Sequence, residues 1–134
     1  MRGIHKREED NEASLYPESI VKLAQNPPYY FRMDDFTNSA CMSGACGDSM
    51  EFYLYVEDDI IKKVSFYTDG CISTRACGSV AAQFVLGKSI EDALNISPKM
   101  ILDKLSGLPG HFNHCAVLAV TTFLRAVADH LLCR

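Results

Sequence analysis

MEFYLYVEDDIIKKVSFYTDGC, residues 50–71, is the stretch whose reading decides the fold. Met50 to Val56 is dense in aromatic and β-branched residues, the types that suit a pleated, half-buried surface. Phe52 and Leu54 alternate with Tyr53 and Tyr55, which is sheet patterning with one apolar face. Glu57-Asp58-Asp59 reads as a turn. Ile60 to Thr68 then returns, with Ile60, Lys62, Val64 and Phe66 on one face and Ile61, Lys63, Ser65 and Tyr67 on the other. Asp69-Gly70 ends the second strand and delivers Cys71. The stretch is an antiparallel hairpin whose apolar face must be covered by its flanking segments.

The chain beyond Cys71 reads as helix. Ser73 to Leu86 carries Ala76, Val80, Ala81, Phe84 and Val85 on one stripe, and Gly87 fits the position just past a helix end. Ser89 caps a short helix with acids in its first turn. Ser97-Pro98 is an N-cap followed by proline at the first helical position, and Gly107 closes that helix. After the break at Leu108-Pro109-Gly110, Asn113 or His114 opens a long final helix. Its expected apolar face is Val117, Val120, Leu124, Val127 and Leu131. Upstream of the hairpin, Tyr16 to Gln25 reads as a helix stopped by Asn26-Pro27-Pro28. Tyr29 to Thr37 reads as a candidate edge strand and Asn38 to Gly47 as a flexible loop. Residues 1–15 are charged and aperiodic, a flexible N-terminal segment, and residues 16–134 form one domain. The predicted class is α+β: a small antiparallel sheet of about three strands packed against several helices.

Composition narrows the function. The 134 residues carry a net charge of −4. With no basic stripe to neutralise phosphates, nucleic acid is an unsuitable partner. Apolar runs are short or broken by charge, and none approaches the ~20 residues of a membrane span. The first residues lack the apolar core of a secretory signal, which points to the cytoplasm. Six cysteines in such a chain stay reduced and more often serve metals or catalysis than disulfides.

Three of them sit at junctions. Cys46 lies just before the first clear strand, Cys71 between a strand and a helix, and Cys115 in the first turn of the last helix. A helix N-terminus has unpaired N–H donors and partial positive charge, so Cys71 and Cys115 both have a reason to ionise. The thiolate is the form that binds metal. Gly47 and Gly70 adjoin two of the three, Asp48 follows Cys46 by two residues, and His114 directly precedes Cys115. Asp48, His114, Cys41 and Cys77 are alternative fourth ligands. A carboxylate is a harder donor than a thiolate and would hold iron less firmly. By local context each cysteine is equally suited to packing. Cys77 shares its helical stripe with core residues, and Cys133 has no evident role. His5, His111 and His130 read as solvent-facing, and Arg75 as a surface charge that could balance a negative ligand.

Tyr16 with Asn26-Pro27, Ala45-Cys46-Gly47-Asp48-Ser49-Met50, Gly70-Cys71, Gly87-Lys88-Ser89-Ile90-Glu91-Asp92-Ala93-Leu94 and His114-Cys115-Ala116-Val117-Leu118-Ala119 occur in this order. In them the chain resembles the IscU/NifU N-terminal family of iron–sulfur cluster assembly scaffolds, from about residue 16 onward. The resemblance implies a non-enzymatic scaffold with Cys46, Cys71 and Cys115 as ligands of a [2Fe-2S] cluster. Asp48 and His114 would lie in the same site. It implies a cysteine desulfurase that passes a persulfide to Cys115, with separate iron and electron donors. Apo iron–sulfur proteins would be the recipients, and the protein would be a monomer or homodimer.

The chain departs from the family in places. Leu108-Pro109-Gly110-His111-Phe112 stands where IscU-like members have a Leu-Pro-Pro-Val-Lys stretch read by a DnaK-type chaperone, so chaperone-assisted release is not carried over. Cys77 stands where small residues such as serine are usual. The insertion of SufU-like sulfur acceptors before the third cysteine is absent. The alternative is a zinc-bound sulfur acceptor of a desulfurase, since three cysteines and an aspartate also suit tetrahedral zinc. A thiol enzyme using Cys115 is disfavoured, because adjacent helical residues such as His114 do not face each other.

Overall fold

The computed structural model describes residues 16–44, 47–106 and 108–132. Helix α1 (Glu18–Gln25) precedes a sheet of β1 (Asn38–Ser43), β2 (Ser49–Glu57) and β3 (Ile60–Thr68). Helices α2 (Ile72–Val85), α3 (Ile90–Ala93) and α4 (Pro98–Lys104) come next, then a 3₁₀ turn (Gly110–Phe112) and α5 (Asn113–Leu132). Both strand pairings are antiparallel, in the order β1-β2-β3. Cys46, Cys133, His5 and Gly107, and the side chain of His111, lie outside the described residues.

The hairpin forms as its composition dictates. Asp58 and Asp59 make a two-residue turn with φ of 56° and 58°, the left-handed pair that matches strand twist and that aspartate tolerates. Met50, Phe52 and Leu54 are fully buried on one face, while Tyr53 and Tyr55 are half-exposed on the other. The expected alternation of β3 needs correction. Tyr55 pairs with Lys63 but Val56 pairs with Ile61, so Lys62 is an extra residue in a bulge. Ile61 is thereby turned inward beside Val64 and Phe66, all three buried, instead of facing away from them.

The third strand is not where the sequence reading put it. Asn38 to Ser43, expected as loop, is β1, paired with β2 from Asn38↔Leu54 to Ser43↔Ser49. Tyr29 to Thr37, expected as an edge strand, makes one parallel bridge, Tyr30↔Phe66, at the β3 edge. It then crosses the outer face of the sheet. Arg32 pairs with Glu51 through two bonds of 3.0 Å and lies 4.0 Å over the Tyr67 ring. Tyr30 stacks on Tyr67 at 5.3 Å, and Lys63 pairs with Asp35 at 2.6 Å. Small polar residues in 38–43 hide a strand because pairing with β2 supplies what their propensity lacks. At the start of β3 the same edge is covered by Ile61 N–H to Lys88 O and Gly87 N–H to Ile61 O, both 2.9 Å, which leaves less of it open to another chain.

Helices α2 and α5 cover the inner face. Helix α5 runs along β1 and β2, and α2 along β3, with α1 on the far side of α2. Phe52, Phe66 and Phe123 meet at the centre, with centroids 6.0 and 5.9 Å apart. Each buried ring contributes ~2 kcal/mol from transfer out of water. The expected capping of the short helices holds: Ser89 accepts from Asp92 N–H at 3.1 Å and Ser97 from Met100 N–H at 3.4 Å.

The apolar face of α5 is expected correctly in part. Val120 and Val127 are buried and Leu124 is half-buried, but Val117 and Leu131 are 50% and 42% exposed, and Cys115, Ala116, Leu118, Ala119, Phe123 and Ala126 complete the buried side. Ala116, Ala119 and Ala126 on that side let the helix approach the sheet closely. By length and composition α5 could span a membrane, contrary to the sequence reading, with a mean hydropathy of 1.5. Half of that stretch is buried in the protein, and packing accounts for its apolarity. His130, expected to face solvent, is half-buried and bonds Asp59 at 3.0 Å, tying α5 to the hairpin turn.

Helix α2 is packed on nearly every side, from Ser73 to Val85. A Cβ on Gly78 would lie 2.5 Å from two carbons of the Phe66 ring. Gly78→Ala is expected to destabilise the fold by ~2 kcal/mol through overpacking, read as a lowered midpoint in thermal or urea unfolding. An unchanged midpoint would mean that Phe66 yields at no cost.

Candidate functional site

Three chain segments meet at the N-terminal ends of α2 and α5. Asp69-Gly70 carries the chain out of β3, and Cys71 is the N-cap residue of α2 in extended conformation (φ −81°, ψ −171°). Cys115 is the third residue of α5 and 1% exposed. The hairpin loop between β1 and β2 supplies Asp48. Gly44 N–H bonds Asp48 O at 2.7 Å, and Gly47 N–H bonds Gly44 O at 3.1 Å. Gly47 adopts φ of +85°, where glycine is favoured. A Cβ on Gly44 would touch Leu118, one turn along α5 from Cys115. Both described flanks of Cys46 therefore sit at this end of the molecule.

Thr74 joins the segments. Its hydroxyl donates to Asp48 Oδ2 at 2.8 Å, and lies 3.5 Å from Cys115 Sγ and 3.8 Å from Cys71 Sγ. Gly70 makes room for this: a Cβ there would stand 2.8 Å from Asp48 Oδ2 and 2.7 Å from Thr74 Cβ. Of the sequence-predicted residues, Asp48, Cys71 and Cys115 are brought together. Among the described residues alone, no three His, Cys, Asp or Glu side chains form a complete metal-binding group.

The two thiols are not equivalent, which corrects the expectation that both ionise. A hydrogen bond with Cys115 is the main influence on Cys71 and, with the Thr74 and Ser73 amides at the helix start, brings it down to about 6 against the opposing effect of burial. The same bond, followed by burial, pushes Cys115 well above the ordinary thiol range. One proton is shared, and Cys115 keeps it because Cys71 is more exposed and sits at the helix start. Cys77 is fully buried, as expected, and desolvation pushes it up to about 12. Cys71 raises Cys77 electrostatically, and Cys77 does the same to Cys115, so all three thiols belong to one neighbourhood.

Other expected residues lie elsewhere or differ in detail. Cys41 is exposed on the outer sheet face, opposite Glu51 on the neighbouring strand. His114 is half-buried beside the Phe112 ring, centroids 6.3 Å apart. Arg75 is half-buried rather than a surface charge, and its Nε is buried with no hydrogen-bond partner. Sequence reasoning missed Thr74 and Ser73. Ser73 is fully buried, its hydroxyl unpartnered by any nitrogen or oxygen, and it favours the anions of both Cys77 and Cys115. The signal for Thr74 was its spacing: three residues past Cys71 in the first turn puts the two on one face.

Thiolate reactivity follows from these directions. Cys71 is depressed, so its thiolate prevails above about pH 6 and is lost below it. Iodoacetamide at pH 7 is expected to alkylate Cys71 well before Cys77 or Cys115, with a rate that falls below pH 6. Peptide mass spectrometry over a pH series reads this directly. Equal labelling of Cys71 and Cys115 would contradict the shared-proton geometry.

Comparison with known proteins agrees with this architecture. Residues 15–132 match the family described as NifU-like N terminal domain. An iron-sulfur cluster assembly scaffold protein IscU from Rickettsia prowazekii is 41% identical over 120 residues, covering 86% of this chain and 91% of that one. IscU 1 of Archaeoglobus fulgidus, also named a cluster assembly scaffold, is 32% identical over 117 residues, covering 87% and 76%. In fold, the chain resembles a candidate assembly scaffold for the SUF system from Fervidobacterium islandicum, with a TM-score of 0.71 at 17% identity over 85% of this chain and 97% of that one. With a family match across nearly its whole length and a relative this similar over most of both chains, the chain belongs to the NifU-like N-terminal domain family.

Proposed function

We propose that the protein is a scaffold on which an iron–sulfur cluster is assembled from desulfurase-derived sulfur and iron, then passed to apo-proteins. The convergence of Asp48, Cys71 and Cys115 on one buried hydroxyl, in a chain of this family, carries the reading. Cys46, Cys71 and Cys115 are the thiolate ligands. Both described flanks of Cys46 lie beside the other two, Gly44 against Leu118 and Asp48 against Gly70 and Thr74. Asp48 is the fourth ligand, with His114 at the margin of the same site. The cargo is a [2Fe-2S] cluster, and zinc can occupy the same donors when it is absent.

Sulfur delivery uses the thiol pair. Cys115 is the persulfide acceptor; it shares one proton with Cys71, and it is the nucleophile when that proton sits on Cys71. Once deprotonated, Cys115 attacks the outer sulfur of the desulfurase persulfide, and the desulfurase thiolate leaves. A separate electron donor reduces that sulfur to sulfide, and an iron donor supplies the metal. The protein is then a carrier rather than an enzyme. Six cysteines need a reducing compartment, for which the cytoplasm is the reading here. The zinc-bound sulfur acceptor is not adopted, because the Rickettsia and Archaeoglobus relatives are called cluster assembly scaffolds.

Anaerobic reconstitution with a cysteine desulfurase, cysteine and ferrous iron is expected to give sulfide-to-iron charge-transfer bands, with iron and sulfide bound in equal amounts. Cys46→Ala, Cys71→Ala and Cys115→Ala are each expected to abolish a stable cluster. Asp48→Ala should lengthen the cluster's life, because a hard carboxylate is the weakest hold on iron and the first to let go. Full clusters in all three cysteine variants would overturn the ligand set. A colourless protein that takes sulfur only when loaded with zinc would replace the scaffold with the sulfur acceptor.

A further inference from the structure

Thr74 touches Asp48, Cys71 and Cys115 without being a proposed ligand itself. Its side chain is fully buried. As a β-branched residue in a helix it has few rotamers available. Threonines in helices commonly turn the hydroxyl back to the preceding turn's carbonyl, as Thr122 does to Leu118 O at 2.7 Å. Thr74 instead sends its proton out of the helix to Asp48 Oδ2 at 2.8 Å. A hydrogen bond to a carboxylate is charge-assisted and strong for its kind.

The fit around this bond is close. Asp48 precedes β2, Gly70 comes after β3 and Thr74 lies in α2, so three separate elements meet at it. Gly70 leaves no space for a Cβ between the carboxylate and the threonine. With Oδ2 held by Thr74, the direction of the carboxylate is set by a rigid helix, although Asp48 itself sits in a loop. Groups that orient ligating carboxylates in this way tune how a site holds its metal.

We propose that Thr74 is a positioning residue: its hydroxyl aims Asp48 at the space beside Cys71 and Cys115, and through Asp48 it sets how long an assembled cluster is retained. This rests on the scaffold reading and goes beyond it by naming what makes Asp48 an effective and releasable ligand. The alternative is a buried hydroxyl that merely satisfies a nearby carboxylate and contributes to folding. The two differ in whether Thr74 acts through Asp48.

The test compares the unsubstituted chain with Thr74→Val, Thr74→Ser, Asp48→Ala and the Thr74→Val/Asp48→Ala double variant. All are reconstituted anaerobically, and the visible bands are monitored after addition of EDTA. Thr74→Val is expected to change the cluster half-life by about tenfold, in the same direction as Asp48→Ala and with the same displacement of the charge-transfer bands. Thr74→Ser, which keeps the hydroxyl, should restore the unsubstituted half-life. In the double variant the valine should add nothing to Asp48→Ala. A Thr74→Val half-life within about twofold of the unsubstituted chain, or effects that multiply in the double variant, would overturn the proposal. Circular dichroism checks folding, and Thr74→Ala serves for the same comparison if the valine variant does not fold. An unsubstituted chain that forms no cluster would count against the scaffold itself.

Discussion

The packing of the Phe66 ring against the bare backbone of Gly78 sets the distance between helix α2 and the sheet. A Cβ at that position would force the ring or the helix to shift. Because α2 lies this close, its first turn is carried to the end of the sheet where β3 terminates and the β1–β2 loop begins. Cys71 then sits at the helix start, and Thr74 is brought within 2.8 Å of a carboxylate from another element. A second glycine, Gly70, repeats the principle on a smaller scale by letting Asp48 and Thr74 close over a chain with no side chain. Close approach at two backbone positions thus connects the hydrophobic core to the placement of the polar groups.

The thiols at this end are held unequally. The hydrogen bond between Cys71 and Cys115 lowers the first and raises the second, with the amides at the helix start adding to the one and burial to the other. The neighbourhood therefore combines an ionised sulfur, a protonated one and a carboxylate fixed by a hydroxyl. Cys77 adds a fully buried thiol behind them, held neutral by desolvation.

Other parts of the molecule serve to keep this end in place. Residues 29–37 cross the outer sheet face through the Arg32–Glu51 pair and the aromatic contacts of Tyr30 and Phe36. Asn38 on β1 bonds Asp129 on α5 at 2.9 Å, and His130 bonds Asp59. Tyr16 packs on Phe112 with centroids 5.4 Å apart, just ahead of α5. These contacts anchor both ends of α5 and fix the depth of Cys115 in the core.

The sequence by itself determined the hairpin, the helix caps at Ser89 and Ser97, the α+β class and the junction positions of Cys71 and Cys115. Each of these depends on local information: alternation, propensity, or a capping residue next to a helical run. Only the tertiary structure decided that Asn38–Ser43 is a strand, because its pairing energy comes from β2 and not from its own residues. It also decided that Ile61 faces inward, since a one-residue bulge reverses every side chain beyond it, and that alanines face the sheet from α5, where they let the helix approach closely. The unequal ionisation of Cys71 and Cys115, and the place of Thr74 between them and Asp48, arise from groups distant in sequence sharing one proton or one hydroxyl. No spacing along the chain encodes that, because the contact exists only once three elements have been packed together.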